Sequence, residues 1–461
     1  MRLAPTAGSP LMASTRDEKG GLDARASTDA PVAACVMSEI AKIHARQVLD
    51  SRGYPTVEVE VALRSGAAGR AAVLSGGSAG KLEAVELRDG GERWAAMGVY
   101  AALDAVKGEI AAVLEGLDPH DQETIDRTLP ALDGTPQKSR LGANAILATS
   151  LAVASAACSE AQLPLWRHLG GAGAAQLPVP LLDVVNGGVH AANRLDFEEF
   201  MIVPAGAPTF SEALRIGTEV FHELGSTLLG RGRGTSIGAD GGFAPDLDSN
   251  ESALETLVTA ITAAGYEPGW DVWIGIDAAA SRLRQDDRYA LTHEGRELST
   301  AELASYYVEL TDRYPVLVLE DGMAEDDWDG WRDLTAALGQ QLELAGDDLF
   351  VTSAERLRRG VESGIANAVV IKPNQVGTLT ETLETISVAQ SNGYASLIAN
   401  RAGETEDTSI CELAVATRCT QIKAGAPSRE RAAKYNRLLR IEEALGDDAV
   451  FPGIAAFYAG G

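Results

Sequence analysis

Three acidic residues stand at the ends of apolar runs. Asp277 closes Val272-Trp-Ile-Gly-Ile-Asp277, Glu320 closes Val316-Leu-Val-Leu-Glu320, and Asp347 closes Leu342-Glu-Leu-Ala-Gly-Asp347. A lone acid in such a place is ordinarily a helix cap or a surface ion-pair partner. Three on consecutive runs face one opening, where their charges repel unless a cation or protons neutralise them. An all-oxygen set without His or Cys suits Mg²⁺ rather than zinc or copper. Two lysines occupy equivalent places, Lys372 after Ala368-Val-Val-Ile and Lys423 after Thr420-Gln-Ile. A strand-end lysine is usually a salt-bridge partner, but opposite a metal, one with a depressed pKa acts as a general base. The chemistry that needs both is removal of a very weakly acidic proton next to a carboxylate. That step creates a dianionic enediolate, which bound metal stabilises.

These groups need strands that share one mouth. Val179-Pro-Leu-Leu-Asp-Val-Val-Asn186, Phe200-Met-Ile-Val203 and Ser396-Leu-Ile-Ala-Asn-Arg401 complete a set of eight apolar runs, mostly separated by helix-like stretches. The later steps are 27 residues from Glu320 to Asp347, 25 to Lys372, 29 to Arg401 and 22 to Lys423. Each suits a strand, a helix and two loops, and a parallel barrel gathers its strand ends at one face. Upstream, Ile40 to Leu49, Thr56 to Leu63 and Gly69 to Val73 alternate as strands, and helical periodicity runs over Gly98 to Leu117 and Gly142 to Ala161. The expected fold class is α/β: a small α+β N-terminal domain over 37–175, then a (β/α)8 barrel over 176–461. Residues 1–36 lack apolar periodicity and read as a disordered tail without a secretory signal.

Composition narrows the function classes. The 461 residues are 45% apolar and 23% charged, and no apolar run is long enough for a membrane span. The formal net charge of −27 repels phosphate backbones, so neither nucleic acid nor membrane is an expected partner. Cys35, Cys158, Cys411 and Cys419 have no C-x-x-C spacing, which argues against a zinc site or a disulfide framework and for inert thiols in the cytoplasm.

Specific motifs point to one family. Ala45-Arg-Gln-Val-Leu-Asp-Ser-Arg-Gly53, Leu141-Gly-Ala-Asn-Ala-Ile-Leu147, Gly241-Gly-Phe-Ala-Pro245, Glu320-Asp-Gly322, Gly346-Asp-Asp-Leu349, Gly403-Glu-Thr-Glu-Asp-Thr408 and Ala432-Ala-Lys-Tyr-Asn436 occur in order. From about Ser38 onward the chain resembles the enolases, whose superfamily uses a Lys or His base beside one or two Mg²⁺ ions. The resemblance implies an enolase-type barrel in which Asp277, Glu320 and Asp347 hold Mg²⁺. It implies that Lys372 removes the C2 proton of a small phosphorylated hydroxy acid and that Lys423 binds the substrate carboxylate. Arg401 would contact the phosphate, and Ser78, in the loop Ser75-Gly-Gly-Ser-Ala-Gly80, would help place a second Mg²⁺. Glu199 and His190 would lie on the acid side, Glu198 would be among the substrate-binding residues, and a homodimer or larger homo-oligomer is implied.

Departures from the family pattern cluster in this pocket. Gly238-Ala-Asp-Gly-Gly242 puts Asp240 where enolases carry a general-acid glutamate. Ala399-Asn-Arg-Ala-Gly403 puts Asn400 and Ala402 where they carry a phosphate-contacting histidine and serine, and Glu198 replaces a glutamine. Most of these changes shorten a side chain while the metal acids and lysines stay. The expectation is therefore an enolase-like dehydratase acting on a 2-phosphoglycerate analogue with a modified phosphorus headgroup, forming carboxyphosphonoenolpyruvate. The alternatives are ordinary phosphopyruvate hydratase and a non-catalytic binding protein.

Overall fold

The computed structural model describes residues 38–76 and 80–457. The expected tail over 1–36 and Ser78 lie outside the described residues.

The chain opens with an antiparallel meander, β1 (Ile40–Leu49), β2 (Pro55–Leu63) and β3 (Ala68–Ala72). Between β1 and β2, the Asp50 carboxylate accepts the backbone N–H groups of Arg52 and Tyr54, which closes the turn at Gly53 with its φ of 81°. Helix Ala143–Ala161 packs across β2 and β3 and is buried along nearly its whole length, which its alanine-rich sequence permits. The approach is so close that a Cβ at Gly69 would lie 2.1 Å from the Ala156 nitrogen. The helical stretch expected from Gly98 runs from Tyr100 to Leu114, with a π-helical segment at Val106–Ile110. Helix Gln122–Asp133 was not anticipated, because Pro130 lies inside it. Asp121 caps its start by accepting the Thr124 N–H, and Gly134 ends it at φ 74°.

The barrel follows. It comprises β4 (Val179–Asn186), β5 (Glu199–Val203) and β6 (Trp273–Asp277), a side sheet of β7 (Arg284–Gln285), β8 (Arg288–Leu291) and β9 (Arg296–Leu298), and then β10 (Val316–Glu320), β11 (Glu343–Gly346), β12 (Ala368–Ile371), β13 (Ala395–Ala399) and β14 (Gln421–Lys423). All except β7–β9 close in the order β10-β11-β12-β13-β14-β4-β5-β6. The eight apolar runs are thus the eight barrel strands. β5 runs antiparallel to both β4 and β6, and every other pair is parallel. The reason is local: no α-helix lies between β4 and β5, so the chain reverses instead of crossing over. The outer helices start on ordinary caps, among them Thr209, Ser249, Ser299, Asp327, Ser353 and Thr378. Leu181, Met201, Val318, Val370 and Leu397 belong to the apolar cluster of the barrel strands and are fully buried, which holds the strand ends to one level.

Candidate active site at the barrel mouth

The acids sit where register puts them. Glu320 pairs with Asp277 across β10 and β6 and with Ala345 across β10 and β11, so Asp347 lies two residues beyond, on the same side of the pleat. Lys423 ends β14, and its ammonium lies 2.6 Å from Glu320 Oε2, 2.9 Å from Glu199 Oε2 and 3.2 Å from Asp277 Oδ2. Lys372, just after β12, pairs with Asp347 Oδ2, whose Oδ1 accepts the Gln375 amide at 2.9 Å.

Burial dominates the electrostatics. It raises the Glu320 carboxyl well above its usual range, with Asp277 adding repulsion, and it raises Asp277 despite Lys423. Asp347 goes the other way, because Lys372 and Arg401 outweigh its burial. Lys372 is not depressed, as a base would need to be. Burial pulls it down, but Asp347 holds it above the ordinary lysine value in this arrangement. Lys423 is raised further by Glu199, Glu320 and Asp277.

On the opposite wall stand His190 and Asp240. The imidazole Nδ1 lies 3.0 Å from Asp240 Oδ2 and 3.3 Å from Glu199 Oε1, and Nε2 lies 3.8 Å from Glu198 Oε2. Burial disfavours the imidazolium, yet Asp240 and the two glutamates win and push it up to about 12. Asp240 is buried, but His190, Arg431 and Lys423 hold it below the usual carboxylate range. Glu198 is pushed up to about 7 by burial, against the pull of His190 and of Arg282, whose Nε lies 2.6 Å away.

The loop after β13 continues this wall. Arg401 follows β13, and its guanidinium meets Glu83 Oε2 at 2.9 Å and Asn374 Oδ1 at 3.4 Å. Asn400 donates to Asp240 Oδ1 at 3.3 Å, and Ala402 lines the same cleft. The N-terminal sheet is tied here by paired bonds between Ser75 and Gly403, of 2.8 and 2.9 Å.

One cleft is lined by every described sequence-predicted site residue except Glu320, whose Oε2 meets the Lys423 ammonium. Glu83, Arg282, Asp321 and Asp348 line it as well and had not been singled out. Asp321 and Asp348 sit inside the Glu320-Asp-Gly and Gly-Asp-Asp-Leu motifs, so their signal was visible. Glu83 and Arg282 had none, because only tertiary packing brings them in.

The residues fit a hard cation. Eight carboxylates line the cleft against Arg282, Lys372, Arg401, Lys423 and His190, and Glu320 Oε1 is buried without a hydrogen-bond partner. Asp277, Glu320 and Asp347 do not form a tight trio, however, because the Lys423 ammonium sits between the first two. Among the described residues, the trios whose ligand atoms lie within 4.8 Å of one another are His190–Glu199–Asp240 and Asp321–Asp347–Asp348.

Two family models match the chain, "Enolase, N-terminal domain" over residues 40–169 and "Enolase, C-terminal TIM barrel domain" over 174–459. The chain belongs to the enolase family. A relative named "Enolase" from Acidothermus cellulolyticus is 54% identical over 428 residues, covering 92% of this chain and 99% of that protein. The chain is accordingly a hydro-lyase of the enolase family, a family that is Mg²⁺-dependent and acts on a small phosphorylated substrate. Among the described residues, no single helix is long and apolar enough to cross a membrane.

Proposed function

We propose that this enolase is a phosphopyruvate hydratase, removing the C2 proton and 3-hydroxyl of 2-phosphoglycerate to give phosphoenolpyruvate. The observation that carries this reading is the meeting of Lys372, Lys423, Asp277 and Asp347 in one cleft with His190, 3.0 Å from Asp240, on the facing wall. Residues 37–175 cap the site, and 176–461 supply the catalytic groups.

Asp277, Glu320 and Asp347 would hold Mg²⁺, which supplies positive charge beside the substrate carboxylate and makes a charged Lys372 less favourable. Lys423 orients the carboxylate. Lys372 accepts the C2 proton at Nζ as the neutral amine, a form favoured once Asp347 no longer holds its ammonium and the proton has passed to solvent. His190 carries the proton for the departing hydroxyl, and Asp240 and Glu199 keep that imidazole charged and in place. This moves the acid role expected of Asp240 one residue outward, since Asp240 is held ionised. Arg401 receives the phosphate, with Asn400 and Glu198 at the edges. Ser78 would help place a second Mg²⁺ near the phosphate. A cytoplasmic homo-oligomer accompanies this reading.

The 54% identity to a relative named enolase favours the ordinary substrate over the modified headgroup expected from the departures. The modified headgroup stays as a second reading on one observation, the short side chains of Asn400 and Ala402 in the cleft wall. One experiment separates the readings: turnover of 2-phosphoglycerate and of its carboxyphosphono analogue with Mg²⁺, alongside C2-proton exchange in deuterated water. Turnover of the first substrate supports the proposal, and turnover of the analogue alone replaces it. Absence of both turnover and exchange with either compound leaves a binding protein.

A further inference from the structure

Arg431 is fully buried, at the turn that starts helix Ala432–Leu445, and it has no role in the scheme above. Its guanidinium donates to three backbone carbonyls, those of Arg401 at 2.8 Å, Ala239 at 3.0 Å and Ala402 at 3.1 Å. It also lies 3.4 Å from Asp240 Oδ1, and its Nε lies 3.1 Å from Glu430. Two of the carbonyls belong to the loop that carries Asn400, Arg401 and Ala402, and the third belongs to the loop that carries Asp240. One planar fork therefore fastens the headgroup loop to the acid-side loop.

Asp240 is held asymmetrically as a result. Oδ1 faces Arg431 and the Asn400 amide, while Oδ2 is left to the His190 ring at 3.0 Å. The backbone of Asp240 is pinned too, its N–H by Asn186 Oδ1 at 3.3 Å and its carbonyl by the Ala426 N–H at 3.0 Å. Asp240 and Asn400, two departures from the family pattern, are thus hydrogen-bonded partners on two loops that the same arginine ties together.

We propose that Arg431 is a positioning residue for C–O bond cleavage: it sets the Asp240–His190 pair against the loop that carries Arg401. This rests on the hydratase reading. In C2 exchange, Lys372 takes the proton, the electron pair stays on the substrate, and a solvent deuteron returns. In elimination, that pair forms the C2–C3 double bond as the C3–O bond breaks, and the hydroxyl leaves as water with the proton from His190. Arg431 makes none of its hydrogen bonds to Lys372 or to β12, so with 2-phosphoglycerate saturating, where a weaker hold of the Arg401 loop on the phosphate no longer limits either event, its loss acts on the second. A merely structural arginine, once lost, would depress both events together.

The test measures C2 exchange by NMR in deuterated water and phosphoenolpyruvate formation by absorbance, for the full-length protein with Mg²⁺ and 2-phosphoglycerate. In Arg431→Gln the ratio of exchange to elimination is expected to rise at least about tenfold, a shift on the scale of a lost charge-assisted hydrogen bond. Arg431→Lys, which keeps the charge but not the fork, falls between. Equal losses of both events in folded Arg431→Gln overturn the proposal, as does an unchanged elimination rate. Should Arg431→Gln fail to fold, Arg431→Lys and Asn400→Ala carry the comparison. Asn400→Ala removes the other tether on Oδ1 and must move the ratio in the same direction, and an unmoved ratio overturns the proposal. Wild-type protein that neither exchanges nor eliminates sinks the hydratase reading together with this one, whereas coupled losses in an active enzyme sink this one alone.

Discussion

The two walls of the cleft are built differently. The wall with Asp277, Glu320, Asp347, Lys372 and Lys423 consists of strand ends and their immediate neighbours, and every group in it is paired with another of the same wall or with Glu199. The wall with His190, Asp240, Asn400 and Ala402 consists of loops and one short 3-10 turn, Gly188–His190, held by backbone hydrogen bonds and by Arg431. The departures from the enolase pattern fall mainly on the second wall. A strand end is fixed by register with two neighbours, so a changed residue there disturbs the barrel as well as the chemistry. A loop side chain can be shortened with the frame intact.

The largest way to break this contrast is Lys372→Ala. Turnover should fall about a thousandfold, with C2 exchange lost in parallel. Retained exchange would show that the base lies elsewhere. Chelation of Mg²⁺ should likewise abolish both events, and added Mg²⁺ should restore them.

Next comes His190→Gln, for which elimination should drop about a hundredfold while exchange survives, because only the loop wall is damaged. The same variant sharpens the comparison through pH. His190 is raised from 6.5 to about 12 by Asp240 and its neighbours against the opposing effect of burial, so the charged imidazole stabilises the folded protein fully below pH 6.5. That contribution fades as pH climbs towards the folded value. Glutamine does not titrate, so the stability gap between wild type and variant should be widest in mild acid and should narrow in alkali. Urea midpoints at about pH 6, 8 and 10 measure it, and a gap that widens with pH contradicts the assignment.

The smallest expected effect is that of Ala402→Ser, which restores a family hydroxyl to the loop wall. A gain of about 1 kcal/mol, roughly fivefold in KM for 2-phosphoglycerate, is expected if the hydroxyl reaches the phosphate. No gain would mean that the loop has moved the position out of reach.

Legibility followed the same divide. Asp277, Glu320 and Asp347 were readable because each ends an apolar run, and Lys372 and Lys423 because the runs repeat at strand–helix intervals. The barrel itself followed from those runs. The reversal at β5 was not readable, since run spacing carries no strand direction. Pro130 hid a helix, because the sequence rule that proline ends helices is a preference that tertiary packing overrides. The sheet β7–β9 is built of very short strands, too short for alternation to register. The acid side was readable only by family resemblance. His190 lies on a single 3-10 turn and Asp240 and Asn400 on loops, none with periodicity, and the charge states of His190 and Asp240 are set by neighbours distant in sequence. Arg431 and Glu83 carry no local sign at all.

The Ser75–Gly403 bridge and the Glu83–Arg401 pair have a consequence for how such chains can be recombined. A hybrid joining this N-terminal segment to the barrel of a distant relative would have to preserve an interlocking seam at the edge of the cleft. A barrel inherited alone would lose the carboxylate that faces Arg401 and a strand-like tether beside it. The halves are therefore expected to be exchanged between lineages only as a matched set, and hybrids that fold should still fail in affinity before they fail in solubility.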